Sequence, residues 1–229
     1  MSILFITGTD TDVGKTVASL LALHVLGPHG AVYLKPIQTG CTDPTHGSDA
    51  AFIAAHLPGG LPQGMTPAQA TGVCRPAPKA PLFAGAPVAP AELLDFVTDH
   101  AGRHPITVVE GAGGILVPVT ASWTMLDFAR DLGATVLVVG RASLGTINHT
   151  VLTLRAVADA GLACLGAVLM DPHNAASAEE RAENSQAIEH LSNQRVWGVI
   201  DHLNPRAPKA SALAVMTAAL ASFLPSGRN

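Results

Sequence analysis

Lys15 and Thr16, set directly behind Gly14 in the run Gly8-Thr9-Asp10-Thr11-Asp12-Val13-Gly14-Lys15-Thr16, are the side chains of this sequence best suited to phosphate chemistry. Gly14 lets the backbone approach an anion, Lys15 brings positive charge to the β- and γ-phosphates, and the Thr16 hydroxyl suits Mg²⁺. The run follows the apolar stretch 3–6 and leads into a helix-like stretch, 17–26. A strand, a glycine-bounded loop and a helix N-terminus make a phosphate cradle, and predict an enzyme that uses a nucleoside triphosphate. The spacing departs from the strict G-x-x-x-x-G-K-[ST] pattern, because five residues separate Gly8 from Gly14 and Thr9 stands where the first glycine is expected.

Four further segments could join this cradle. Glu110 follows the apolar run 106–109 and opens Glu110-Gly111-Ala112-Gly113-Gly114. Its carboxylate then sits at the carboxyl end of a strand, where open α/β sheets bind ligands, and suits a metal; the competing reading is a plain glycine-rich turn. Lys35, before Pro36, ends a second strand and points into the same crevice or into solvent, while Thr39 by itself reads as a turn residue. Asp49, in Gly47-Ser48-Asp49-Ala50, reads as a helix cap, with Mg²⁺ as the alternative. Ser143-Leu144-Gly145-Thr146-Ile147-Asn148-His149 opens another helix, either as a second anion site or with Thr146 as a plain N-cap. The ten histidines, His149, His173 and His202 among them, show no metal spacing.

Strand-like runs at 3–6, 32–34, 106–109, 136–139, 165–169 and 196–200 alternate with helix-like stretches near 17–26, 48–57, 91–102, 124–132, 147–160, 178–193 and 210–223. Continuous apolar runs such as 134–139 suit strands covered on both faces, so the expected fold is α/β, a single domain with a doubly wound, mostly parallel sheet. The proline-rich interval 58–90 is expected to be an irregular excursion over the sheet edge.

Composition excludes several classes. A 229-residue chain that is 48% hydrophobic can build one large core, and a net charge of −4 with 13 Lys and Arg gives no basic stripe for nucleic acid. Cys41, Cys74 and Cys164 have neither paired nor zinc-like spacing, which suits reduced thiols and a cytoplasmic setting. The N-terminus has no basic region ahead of its short apolar run, so no signal peptide is expected. The apolar tail 212–224 is shorter than the roughly 20 residues of a bilayer span, so no membrane association is expected.

Taken in order, GTDTDVGKT (8–16), LKPIQTG (34–40), GSDA (47–50), VEGAGG (109–114) and LGTINHTVLT (144–153) resemble the motifs of the dethiobiotin synthetase family, a P-loop NTPase fold, over most of the chain. The resemblance implies an ATP-dependent ligase of biotin biosynthesis. There CO₂ carbamylates one amine of 7,8-diaminononanoate, ATP phosphorylates the carbamate, and the second amine closes the ureido ring with loss of phosphate. It further implies Thr16, Asp49 and Glu110 as Mg²⁺ ligands, Lys35 and Lys15 as catalytic lysines, and Thr39 as a substrate-contacting hydroxyl. By the same resemblance Asp12, Val13, Gly14, Lys15 and Thr16 hold the triphosphate, Asp49, Glu110, Gly111, Ala112, Gly113 and Asp171 complete the nucleotide site, and Leu144, Gly145, Thr146 and Asn148 bind the substrate carboxylate across a homodimer interface.

Two departures from the family pattern bear on the nucleotide. Met170-Asp171 stands where many members have Asn-Asp, the asparagine reading the adenine, and Gly198-Val199-Ile200-Asp201 replaces a usual Gly-x-Ile-Pro. Relaxed base choice is therefore expected, with CTP or another triphosphate open beside ATP. Two other classes compete. A ParA- or MinD-like switch ATPase would place a lysine at Asp10 and carry a basic tail, whereas 206–229 offers only Arg206, Lys209 and Arg228. Another C–N ligase of the same fold is the closer rival.

Overall fold

The computed structural model describes residues 2–201 and 204–224; His202 and Arg228, singled out above, lie outside them. In chain order the elements are β1 (Ser2–Gly8), α1 (Lys15–Leu26), β2 (Ala31–Thr39), α2 (Asp49–His56), α3 (Pro67–Ala70), β3 (Thr71–Arg75), α4 (Pro90–Ala101), β4 (Ile106–Gly114), α5 (Met125–Asp131), β5 (Thr135–Arg141), α6 (Thr146–Asp159), β6 (Cys164–Asp171), α7 (Ala178–Ser192), β7 (Val196–Asp201) and α8 (Ala210–Ala219). The strands form one parallel sheet in the order β3-β2-β4-β1-β5-β6-β7.

Successive residues of a strand point to opposite faces, and the apolar runs here fill both. Ile3 and Phe5 of β1 join Val109, Val136 and Val138 in a core closed by α4, α5, α6 and α7. Leu4 and Ile6 join Tyr33, Val108, Leu137 and Val139 in a second core, closed by α1, α2 and α8. The chain winds from β1 toward β3 on one side and toward β7 on the other, so the strand order reverses beside β1 and β4. A crevice opens at such a switch point, at the carboxyl ends of the strands.

The interval 58–90 departs from the irregular excursion expected of it, because it supplies the edge strand β3. Thr66 and Gln69 form a reciprocal capping box that starts the single turn of α3, and this turn feeds Thr71 straight into pairing with Lys35. Gly72 makes that pairing possible: a Cβ there would stand 2.5 Å from the Pro36 carbonyl oxygen. Prolines bracket this five-residue strand without entering it, and with Gly72 inside it has too little apolar pattern to show.

Two strands are longer than their apolar runs. β2 continues through Lys35 and Pro36 to Thr39, and β4 continues through Glu110 and its glycines to Gly114. Glu110 and Lys35 therefore stand within paired strands rather than at turns, where their neighbours hold them rigidly. Two cap expectations are also corrected. The α2 cap is Ser48, whose side chain accepts from the Ala51 N–H, leaving Asp49 free one position on. The α6 cap is Gly145, at φ +91°, and the Thr146 hydroxyl lies 3.2 Å from that of Thr150.

Phe128 anchors the first core, with its ring edge-on to Phe5 at 5.8 Å and 5.2 Å from the Trp123 ring. Truncation of this 1%-exposed side chain opens a cavity under β1 and β4. Phe128→Ala is expected to lower unfolding stability by about 3–5 kcal/mol, seen in urea titration as an earlier midpoint with an unchanged slope.

Candidate active site

The loop between β1 and α1 turns on two left-handed residues, Asp12 at φ +54° and Gly14 at φ +96°. Gly14 is the N-cap of α1 and no side chain caps that end, so the first amides of the helix face outward, as an anion requires. A Cβ on Gly14 would also press on Met170, its Cγ 3.0 Å away, so β6 packs tightly behind the loop. Val13 is anchored in the core, 2% exposed. Lys15 donates to the Asp10 carbonyl at 2.9 Å, which curls its ammonium back over the loop.

Beneath the loop lies a buried charged cluster. β2 and β4 run side by side with Leu34 opposite Val109, so Lys35 and Glu110 are the next pair in register, on one face. Lys35 Nζ reaches Asp49 Oδ2 at 2.6 Å and Glu110 Oε1 at 2.9 Å, and donates to the Gly111 carbonyl at 3.0 Å. Thr16 Oγ1 donates to the same Glu110 Oε1 at 2.9 Å, while Ser19 and Tyr33 each donate to Oε2 at 2.9 Å. Gln38 accepts from the Asp49 N–H at 3.0 Å and so fixes the start of α2.

The cluster sets its own charge states. Burial works against the Lys35 ammonium, yet Glu110 and Asp49 outweigh it and hold Lys35 above the ordinary lysine range. Burial likewise opposes charge on Asp49, but Lys35 prevails and keeps that carboxyl low. Complete burial pushes the Glu110 carboxyl upward, with Lys35 opposing. Lys15 is lowered to about 8, first by burial and then by repulsion from Lys35.

These groups line one cleft of about 830 Å³, with Asp12, Gly14, Lys15, Thr16, Lys35, Thr39, Asp49, Glu110, Ala112 and Gly113 on its walls. Such a volume is ample for a nucleotide with a small second substrate. Other expected residues are elsewhere. Asp171 accepts from the Ala175 and Ala176 amides and pairs with Arg181 at 2.7 Å, tying down the loop after β6 rather than facing the cleft. Leu144, Gly145, Thr146 and Asn148 are not on the cleft wall of this single chain, and Leu144 is fully exposed.

Four groups at or around the cleft escaped sequence reasoning: Ser19, Tyr33, Gln38 and Arg141, whose guanidinium donates to the Thr11 carbonyl at 2.9 Å. Ser19 lies one helical turn past Lys15 and Tyr33 two residues before Lys35 on the same strand face, so periodicity alone could have flagged these two.

The oxygen set fits a small hard cation. Thr16 Oγ1 and Glu110 Oε1 are 2.9 Å apart, and the Asp49 carboxylate meets the same Lys35 ammonium as Glu110, at 2.6 and 2.9 Å. Two carboxylates this close favour a positive partner. Among the described residues no group of three or more His, Cys, Asp or Glu gathers as a metal site.

Residues 2–210 match the family described as AAA domain. The chain is 44% identical to the ATP-dependent dethiobiotin synthetase BioD of Anaeromyxobacter sp. strain K over 169 residues, covering 72% of this chain and 75% of the relative. It is 45% identical to the BioD of Mycobacterium avium strain 104, with 74% of each covered, and 38% identical to that of Paramagnetospirillum magneticum, with 87% of this chain and 88% of the relative covered. The chain belongs to the dethiobiotin synthetase family. Solved structures similar to it include the cell division ATPase MinD of Pyrococcus furiosus, with a TM-score of 0.60, 16% identity and coverage of 97% of this chain and 99% of the other. MinD complexed with Mg-ADP from Pyrococcus horikoshii OT3 gives 0.57, 16% identity, and 96% and 95% coverage. At that identity the likeness shows a shared P-loop fold. For this synthetase-family chain no helix among the described residues is long and apolar enough to cross a membrane.

The lowered Lys15 value has a consequence for nucleotide binding. A phosphate held by Lys15 would need the ammonium, so its affinity would be full well below about 8 and would weaken as pH rises through that value. Calorimetric titration with ATP between pH 6.5 and 9.5 is expected to show affinity declining above about pH 8.

Proposed function

We propose that this protein is an ATP-dependent ligase that forms the ureido ring of dethiobiotin from 7,8-diaminononanoate and CO₂. The observation that carries the reading is the cluster of buried Lys35 and Glu110 with half-buried Asp49 beneath a P-loop, in one cleft, within a chain of this family. One amine nitrogen attacks CO₂ and loses a proton, giving a carbamate. A carbamate oxygen then attacks the γ-phosphorus of ATP, and ADP leaves. The second amine attacks the carbonyl carbon, the C–O bond to phosphate breaks, the amine proton departs, and the cyclic urea and phosphate remain.

Charge neutralisation is the main demand of these steps, because negative charge gathers on carbamate and phosphoryl oxygens. Lys15 and the free amides of α1 meet the triphosphate. Lys35, kept protonated by its two carboxylates, is held 3% exposed, where its charge is weakly screened, and steadies the carbamate and phosphoryl oxygens. Thr16, Asp49 and Glu110 would hold Mg²⁺, which when bound supplies charge neutralisation at the β- and γ-phosphate oxygens. Thr39 on the cleft wall meets the substrate. The loop Leu144–Asn148 meets the substrate carboxylate in a homodimer, and the exposed Leu144 side chain supports a partner surface there.

The direct test measures phosphate release from Mg·ATP and bicarbonate with and without 7,8-diaminononanoate, with mass spectrometry for the cyclic urea. Diamine-dependent release with product is expected; release indifferent to the diamine would sink the synthetase reading. Replacing ATP by CTP or GTP in the same assay reads the base preference expected from Met170.

Two lysine variants separate the roles. Lys15→Ala is expected to weaken ATP binding and turnover together. Lys35→Ala is expected to keep ATP affinity within a few-fold while kcat falls about 100-fold or more. It also strands Glu110 and Asp49 without their cation, so a stability loss of about 3–5 kcal/mol should accompany it in a denaturation curve.

A further inference from the structure

The oxygens of Glu110 are divided between two sets of partners. Oε1 takes Thr16 and Lys35, both on the cleft wall; Oε2 takes Ser19 and Tyr33, neither of which lines the cleft. Tyr33 sits in β2 opposite Val108, two residues along from the Lys35–Glu110 pair, so its ring lies diagonally behind the carboxylate on the same sheet face. Its side chain is fully buried among apolar residues of the second core. A phenylalanine would fill that space, whereas a buried phenol needs a partner, and this one has Glu110 at 2.9 Å. Ser19 approaches from α1. Its hydroxyl also lies 3.0 Å from the Lys15 carbonyl, but it has one proton, and an ionised carboxylate is the stronger acceptor.

We propose that Tyr33 and Ser19 are positioning residues, a pair of buried hydroxyls that pin Glu110 Oε2 so that Oε1 alone faces Thr16, Lys35 and a bound Mg²⁺. Rotation about the last bond of the glutamate side chain would otherwise turn the plane of the carboxylate and carry its cleft-facing oxygen out of line with Thr16 and Lys35. Neither hydroxyl touches a reacting atom; each acts through Glu110. The inference rests on Glu110 as a metal-binding carboxylate, and not on which amine or acid the enzyme uses.

The test is nucleotide binding without turnover. AMP-PNP affinity is measured by calorimetry in EDTA and again in Mg²⁺, and the ratio of the two is the gain from metal. Tyr33→Phe is expected to reduce that gain about tenfold, the worth of one charge-assisted hydrogen bond, while affinity in EDTA stays within about twofold. Ser19→Ala is expected to move the gain in the same direction, and the double variant further than either. Circular dichroism checks folding; should Tyr33→Phe fail to fold, Ser19→Ala carries the test. A gain within twofold of wild type in both folded variants overturns the proposal, as does equal weakening in EDTA and in Mg²⁺. A wild-type protein with no Mg²⁺ gain overturns it too. A wild type that keeps the gain but ignores 7,8-diaminononanoate supports the clamp wherever the variants lose gain, and removes the synthetase reading alone.

Discussion

One buried cation between two carboxylates is the constraint around which the rest of this site is arranged. Lys35 contacts Glu110 on the neighbouring strand and Asp49 on the next helix, and is 3% exposed. Ions so placed lose their water, and only close partners with further hydrogen bonds make the arrangement tolerable. The structure supplies them: Thr16, Ser19 and Tyr33 donate to Glu110, the Gly111 carbonyl accepts from Lys35, and Gln38 fixes the backbone that presents Asp49. The partners come from α1, β2 and β4, and Asp49 from α2, so these four elements must be in place together.

The sheet order makes this convergence possible. β4 lies between β1 and β2, bringing Glu110 beside both the strand that leads into the P-loop and the strand that carries Lys35. Helices over both faces keep the strands dry, and only their carboxyl ends open to the cleft. The same architecture serves MinD, at 16% identity, so the fold is common property and the chemistry belongs to the side chains at its rim.

Much of this was legible in the residues alone. Six of the seven strands announced themselves as continuous apolar runs, and Gly14-Lys15-Thr16 marked the phosphate loop, because both signals are local. The edge strand β3 was hidden by Gly72 and its flanking prolines, since its pairing depends on fit against Pro36. Asp49 read as a cap because Ser48, one residue earlier, offers the same chemistry, and only the backbone angles separate them. Asp171, placed in the nucleotide site by the family resemblance, accepts from two amides and pairs with Arg181.

The amino-acid order by itself determined the parallel sheet, the phosphate loop and the family motifs, because hydrophobic continuity and the demands of glycine and lysine next to an anion act over a few residues. Tertiary structure alone decided which carboxylate faces which amine. Lys35 and Glu110 are 75 residues apart in the chain and 2.9 Å apart in space. Their pairing, and the protonation it enforces, exist only once strand register and burial exclude water from between them.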